Sequence, residues 1–226
     1  EDANKVTEIK LRYGYHPQLA RNAVQVGNVD GTYTDVALMT DLYATDWSWS
    51  ALINDYDLDG KNDLFVSNGI YKRPNDLDYI NYLSNINLSL YSPSEQDSIE
   101  QVLIESMPTI RIPNRVFKNE GNLAFEDKSR DWGLGDDTYS NGTAYADLDN
   151  DGDLELVINN VNQAASIYRN NIRERGSGSF LTIEFDEKDA YAIGATAILY
   201  AGGETYRKEN YPVRGFQSSV SRELTF

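Results

Sequence analysis

Residues 55–63 read Asp-Tyr-Asp-Leu-Asp-Gly-Lys-Asn-Asp, and residues 147–155 read Asp-Leu-Asp-Asn-Asp-Gly-Asp-Leu-Glu. Each stretch puts a carboxylate at its first, third, fifth and ninth positions and glycine at its sixth. The carboxylates are Asp55, Asp57, Asp59 and Asp63, then Asp147, Asp149, Asp151 and Glu155. Hard oxygen donors at this spacing can wrap one cation, and they suit Ca²⁺, which takes ~6–8 oxygens at ~2.3–2.6 Å. Gly60 or Gly152 permits the backbone reversal, and the seventh residue, Lys61 or Asp153, can offer its carbonyl. Without a counter-ion the convergence is unfavourable. Like charges ~4 Å apart repel by about 1 kcal/mol in bulk water and by ~4 kcal/mol near a protein surface. Mg²⁺ fits less well, because it dehydrates reluctantly and takes fewer protein ligands. An EF-hand would need glutamate at position 12 and helices on both sides. Position 12 is Val66 or Ile158, in apolar strand-like sequence, so two strand–loop–strand Ca²⁺ sites are expected, closed by Asp63 and Glu155. A pair of solvated acidic turns is the plainer alternative, and recurrence of the whole pattern weighs against it.

Other chemistry is thinly supplied. His16 is the only histidine and cysteine is absent, which removes thiol nucleophiles and Cys-ligated zinc and all but excludes a Ser-His-Asp triad. Carboxylate-pair hydrolysis is open on composition, yet the recognisable acids are committed to the loops. Gly27, Gly31 and Gly121 precede no Gly-Lys-Ser/Thr and form no phosphate loop. Trp47, Trp49 and Trp132 could stack on sugars, although packing inside a sheet is the commoner use of tryptophan. Asn87-Leu88-Ser89 and Asn141-Gly142-Thr143 match the N-glycosylation sequon. A non-enzymatic role is expected.

The loops belong to a larger repeat. The chain of 226 residues matches itself without gaps at an offset of 92: Asn22 with Asn114, Val24 with Val116, Tyr33 with Phe125, Leu42 with Leu134, the loop residues with each other, and Asn68 with Asn160. Within the first copy, Ala23–Val26 and Thr32–Val36 flank the turn Asn28-Val29-Asp30-Gly31, a hairpin signal. Trp47–Ile53 alternates as a half-buried strand does, and Leu64-Phe65-Val66 follows the loop. Four short strands per copy is the pattern of a propeller blade. Residues 75–108 read as helical, with Asn75 as a cap, Ser94 and Asp97 as a capping box, and Ile99, Val102, Leu103 and Met107 on one face. This insertion explains a period longer than the ~40–50 residues of propeller repeats. Residues 172–179 read as a polar linker. Leu181–Phe185 alternates, and Thr196–Tyr200, the turn 201–204 and Thr205–Lys208 read as a hairpin of a separate β module.

Lys and Arg number 20 against 36 Asp and Glu, a formal charge of −16. That balance repels nucleic-acid phosphates and anionic membrane surfaces. No apolar run approaches the ~18 residues that span a bilayer, so no membrane insertion is expected. At 40% hydrophobic and 12% aromatic residues, the chain can build a core. It begins at Glu1 and reads as a processed product or fragment.

The loops with their following strands, Asp55…Asp63-Leu64-Phe65-Val66 and Asp147…Glu155-Leu156-Val157-Ile158, resemble FG-GAP/VCBS-type repeats, the calcium-loop blades of integrin α-subunit-like β-propellers. The tail, through Ile193-Gly194-Ala195 and Tyr211-Pro212-Val213-Arg214-Gly215-Phe216-Gln217-Ser218-Ser219, is similar to the ASPIC/UnbV domain of cartilage-acidic-protein-like secreted proteins. Thr45-Asp46-Trp47-Ser48-Trp49 and Ser140-Asn141-Gly142 fit the same combination. The resemblance covers roughly residues 20–70 and 113–226. It implies a mainly β protein with a blade region over 1–70, a helical insertion over 71–112, a second blade over 113–171 and a truncated ASPIC/UnbV-like module over 178–226. Propellers of this kind have about seven blades, so the rest of a longer propeller chain is expected to be missing. The implied function is a calcium-stabilised extracellular module, secreted or at an outer-membrane surface, for protein binding or adhesion. The alternative is a glycan-capture component of a bacterial polysaccharide-uptake system.

Overall fold

A computed structural model describes residues 2–16, 19–176, 179–186 and 192–226. The protein is mainly β. Among the described residues the strands form antiparallel sheets of two to four strands, and none closes into a barrel or ring.

The chain divides into two compact units, Glu1–Thr45 and Asp46–Phe226. The first holds helix α1 (Asp2–Arg12), which the sequence reading did not foresee, and a hairpin of β1 (Gln25–Gly27) and β2 (Tyr33–Asp35). The hairpin turn is the expected one. Asn28 N–H donates to Thr32 O at 2.8 Å, and Asp30 accepts from the N–H and hydroxyl of Thr32.

The second unit runs through β3 (Ser48–Asn54), β4 (Asp63–Asn68), α2 (Leu77–Ser84), α3 (Pro93–Ser106), β5 (Ile112–Pro113), β6 (Arg115–Gly121) and β7 (Ala124–Asp127). It continues with β8 (Asp137–Thr138), β9 (Ser140–Ala146), β10 (Glu155–Asn160), β11 (Ser166–Tyr168), β12 (Thr182–Ile183), β13 (Thr196–Ala201), β14 (Glu204–Glu209) and β15 (Leu224–Thr225). The four-stranded sheet has the order β3-β4-β6-β7 and the three-stranded sheet β11-β10-β9.

The four strands expected within one copy are not one sheet. The sheet draws β3 and β4 from the first copy and β6 and β7 from the second, joined where Leu64 faces Phe117 and Val66 faces Arg115. β9 and β10, the counterparts of β3 and β4, begin a new sheet completed by β11. Strands adjacent in sequence pair through short loops, so the insertion between β4 and β6 marks a connection inside a sheet.

The two sheets enclose a common core of Leu52, Phe65, Val116, Tyr145, Leu156 and Ile158, joined by Val220 from the C-terminal stretch. Phe65, Leu52 and Ile158 are fully buried, each contributing about 1.5–3 kcal/mol. β3 alternates, but in the opposite phase from the one its large residues suggest: Ser50, Leu52 and Asn54 face inward, and Ala51 and Ile53 outward.

Helices occupy the inserted segment with their ends displaced from the expected ones. Asp76, one residue after Asn75, caps α2 by accepting from Tyr79 N–H at 2.9 Å. α3 starts at Pro93, and Glu95 reaches back to Ser92 N–H and Oγ at 2.8 and 2.6 Å, so the capping pair is Ser92 and Glu95 rather than Ser94 and Asp97. Leu103 is buried under Tyr79, whose hydroxyl donates to Leu103 O, while Val102 is exposed.

The C-terminal hairpin β13–β14 pairs from Thr196↔Glu209 to Ala201↔Glu204, as expected. The linker over 172–179 and the start of the module at 178 lie partly outside the described residues.

Candidate metal centre

Both acidic loops bridge neighbouring antiparallel strands, β3 to β4 and β9 to β10, and both fold by one hydrogen-bond scheme. The first carboxylate takes the two amides that follow the turn. Asp55 accepts from Asp59 and Gly60 N–H at 3.1 and 2.8 Å, and Asp147 from Asp151 and Gly152 at 3.1 and 2.9 Å. The fifth carboxylate takes the seventh amide, Asp59 from Lys61 and Asp151 from Asp153. The ninth, at the head of its strand, takes one amide from the loop and one from the neighbouring strand. Asp63 accepts from Tyr56 N–H at 3.1 Å and Asn119 N–H at 2.9 Å. Glu155 accepts from Leu148 at 2.7 Å and Asn170 at 3.3 Å.

Position six needs glycine twice over. Gly60 and Gly152 have φ of 88° and 94°. A Cβ there would also stand 3.2 Å from the Tyr206 ring and 2.3 Å from the Phe180 ring, respectively. Position four is also left-handed in both loops, at Leu58 (φ 55°) and Asn150 (φ 60°).

The folded loops bring carboxylates together. One oxygen each from Asp55, Asp57 and Asp63 lie within 4.8 Å of one another, as do oxygens of Asp147, Asp149 and Glu155. Asp151 and Asp153 converge instead with Glu174, a residue that the sequence reading left in a linker. Asp59 faces two ammonium groups, Lys61 at 3.1 Å and Lys118 at 3.0 Å. The Lys61 side chain is therefore an ion-pair partner of the loop.

Spacing within the loops did not reveal the basic residues of the next strand. Lys118 bonds Asp57, and Arg169 bonds Asp149 at 2.8 Å and Glu174 at 2.7 Å. The two are equivalent. Phe117 pairs with Leu64 and Tyr168 with Leu156, so the basic residue comes one step later in each. The signal was Phe117-Lys118-Asn119 and Tyr168-Arg169-Asn170, an aromatic-basic-Asn triplet.

The electrostatics favour a cation. Burial pushes Asp63 up to about 7, with the charges of Asp57 and Asp55 adding to it against hydrogen bonds from Asn119 and Tyr56. Burial likewise raises Asp55, Asp153 and Glu155. Asp59 goes the other way, because Lys118 and Lys61 outweigh its burial. Asp57 Oδ1 and Asp153 Oδ1 are buried with no hydrogen-bond partner among the described residues. Such orphan oxygens are rare in folded proteins. These acidic clusters could hold metal ions, and hard carboxylate oxygens that lack protein donors fit that use.

The C-terminal stretch is built onto this apparatus. Phe216 N–H donates to Ser50 Oγ at 2.9 Å, and the Phe216 ring meets Trp49 with centroids 4.6 Å apart. Tyr206 and Lys208 share the inward face of β14. Tyr206 lies on Gly60, and Lys208 Nζ donates to Asn54 at 2.6 Å. Burial holds Lys208 down at about 8. A cavity of about 530 Å³ opens beside the first loop, between Asp59, Asn62, Phe180 and Tyr206. No helix among the described residues is long and apolar enough to cross a membrane.

A search of curated proteins finds no match to the chain. Residues 185–226, the stretch that carries Tyr206, Lys208 and Phe216, match the family model described as ASPIC and UnbV, as Tyr211–Ser219 led us to expect.

Proposed function

We propose that the chain is a non-enzymatic Ca²⁺-binding extracellular module. In this reading, FG-GAP/VCBS-type blades are stiffened by one ion per loop, and the assembly with its ASPIC/UnbV-type tail presents a surface for protein binding or adhesion. The observation that carries it is the identity of the two loops in folded geometry. Asp55, Asp57 and Asp63 recur as Asp147, Asp149 and Glu155, with the same backbone donors fixing the outer carboxylates. A shared ligand accounts for the repeated convergence of charges that repel. The hard, multidentate oxygen set favours Ca²⁺ over Mg²⁺.

The ion's role is structural. It neutralises the loop and pins the head of β4 or β10 to the strand before it. A ligand bound only by the folded state adds stability by mass action. Affinities of ~10⁻⁴–10⁻³ M are typical of extracellular calcium modules, and an affinity in that range would suit a protein that is secreted or at an outer-membrane surface. The charge of −16 favours a protein partner with basic character and disfavours nucleic acid.

A glycan-capture role draws less support from the side chains. Trp49 is engaged with Phe216 and donates to Gly69 O, and Trp132 packs partly against the core.

Calorimetric titration with calcium and melting with and without chelator test the reading. Heat of binding and a higher melting temperature in calcium support it, and Asp57→Ala and Asp149→Ala should each abolish one site. Absent heat together with unchanged melting would overturn it. Calcium-dependent binding to extracellular proteins, with no signal on a polysaccharide array, separates the adhesive role from glycan capture.

A further inference from the structure

The two loops are not equal in charge. In the first, position seven is Lys61, whose ammonium meets Asp59 at 3.1 Å, with Lys118 closing from the other strand at 3.0 Å. The fifth carboxylate is thus neutralised by the protein itself. In the second loop, position seven is Asp153, a carboxylate in place of the ammonium. Arg169, the counterpart of Lys118, turns to Asp149 and Glu174. The Arg173 guanidinium lies over the Phe180 ring, 5.0 Å from its centroid, and its main-chain N–H donates to Asp153 Oδ2.

Asp151, Asp153 and Glu174 nevertheless converge, with one oxygen of each inside a 4.8 Å group. Asp153 is fully buried, and its Oδ1 has no partner among the described residues. A buried carboxylate oxygen without a donor, on a residue grouped with two further carboxylates, is costly unless a cation meets it. The first loop solves this problem with Lys61. The second puts a carboxylate, Asp153, where Lys61 stands, and Arg169 reaches this cluster through Glu174.

We propose that the second loop holds an additional divalent cation on Asp151, Asp153 and Glu174, beside the one on Asp147, Asp149 and Glu155. This rests on the reading that the loops take divalent cations, and it changes the stoichiometry from two ions per chain to three. Hard carboxylate oxygens make calcium the matching ion. Arg169 bridges the pair of sites through Asp149 and Glu174, so filling one site is felt at the other.

The test counts ions on the full chain equilibrated with calcium chloride, by native mass spectrometry and calorimetry. Wild type should carry about three, and Glu174→Gln about two. Asp153→Lys copies Lys61 into the second loop. It should carry about two ions and lose less melting temperature than wild type when chelator is added. Two ions on wild type, with both variants unchanged, overturns the additional site and leaves the loop reading standing. Three ions on both variants also overturns it. No ions on any of the three proteins overturns the loop reading together with this one.

Discussion

Lys118 Nζ is hydrogen-bonded to Asp57, so a protein cation already occupies one side of the carboxylates that converge in the first loop. Burial opposes the charge on Lys118, but Asp57 and Asp59 outweigh it and hold its pKa above the ordinary value. The ammonium on Oδ2 leaves Asp57 Oδ1 without a donor among the described residues, and a calcium ion bound there would share the carboxylate with a like charge.

Removing that like charge should have opposite effects with and without metal. Lys118→Gln should tighten calcium binding at the first loop by roughly threefold to tenfold, up to about 1.4 kcal/mol, and lower the melting temperature in chelator. Calorimetry and thermal melts on the same preparation measure both. Weaker binding in the variant would show that Lys118 positions Asp57 for the ion instead of opposing it.

Leu58 occupies the left-handed region at the position where the second loop has Asn150. The left-handed backbone costs an ordinary side chain about 1–2 kcal/mol, and asparagine tolerates it better. Leu58→Asn should raise stability by about 0.5–1 kcal/mol, seen as a higher urea midpoint at unchanged slope. A lower midpoint would mean that packing of Leu58 outweighs its backbone strain.

The glycines at position six should differ in their tolerance. Both have positive φ, so alanine costs about 1–2 kcal/mol at either. At Gly152 the new Cβ would run into the Phe180 ring at 2.3 Å, whereas at Gly60 it would press on Tyr206 at 3.2 Å, a clash relieved by a smaller shift. Gly152→Ala should therefore be the more destabilising by chemical denaturation. Equal losses would show that Phe180 moves aside freely.

The pH response of the metal-free chain follows from Asp63. Its folded pKa of about 7 lies above the ordinary value of about 3.9. Between those values the folded chain holds a proton that the unfolded chain has lost, so stability falls as pH rises from about 4 to about 7. Asp55 and Asp57 share the site and push the same way, and Lys118 on Asp57 offsets part of their charge. In chelator, melting at pH 5.5 should exceed that at pH 8, and Asp63→Asn should shrink the gap. Calcium needs the ionised carboxylate, so its binding should strengthen as pH rises through about 7. A chelated protein equally stable at both pH values would contradict the assignment.

The loops were legible because their ligands are local. Asp55 to Asp63 lie within nine residues, and the same spacing recurs in register. The hairpins β1–β2 and β13–β14 were legible for the same reason. The phase of the sheets was not, because β4 pairs with β6 across a helical insertion that carries no pairing signal of its own. Lys118 and Arg169 escaped because the offset of 92 aligns Lys118 with Val26, so their shared aromatic-basic-Asn triplet falls outside the repeat register. Glu174 sits in a polar turn that reads as linker, and only the folded chain carries it to Asp151 and Asp153. The helix caps fell one or two residues off because Asn75 and Asp76, or Ser92 and Ser94, are chemically equivalent candidates, and the backbone selects between them.

Diffraction from crystals grown with calcium would locate divalent ions in the acidic loops. Difference density is expected between Asp55, Asp57 and Asp63 and again between Asp147, Asp149 and Glu155, with oxygens at ~2.3–2.6 Å. Density at both positions that refines as water, at ordinary hydrogen-bond distances, would contradict calcium binding there.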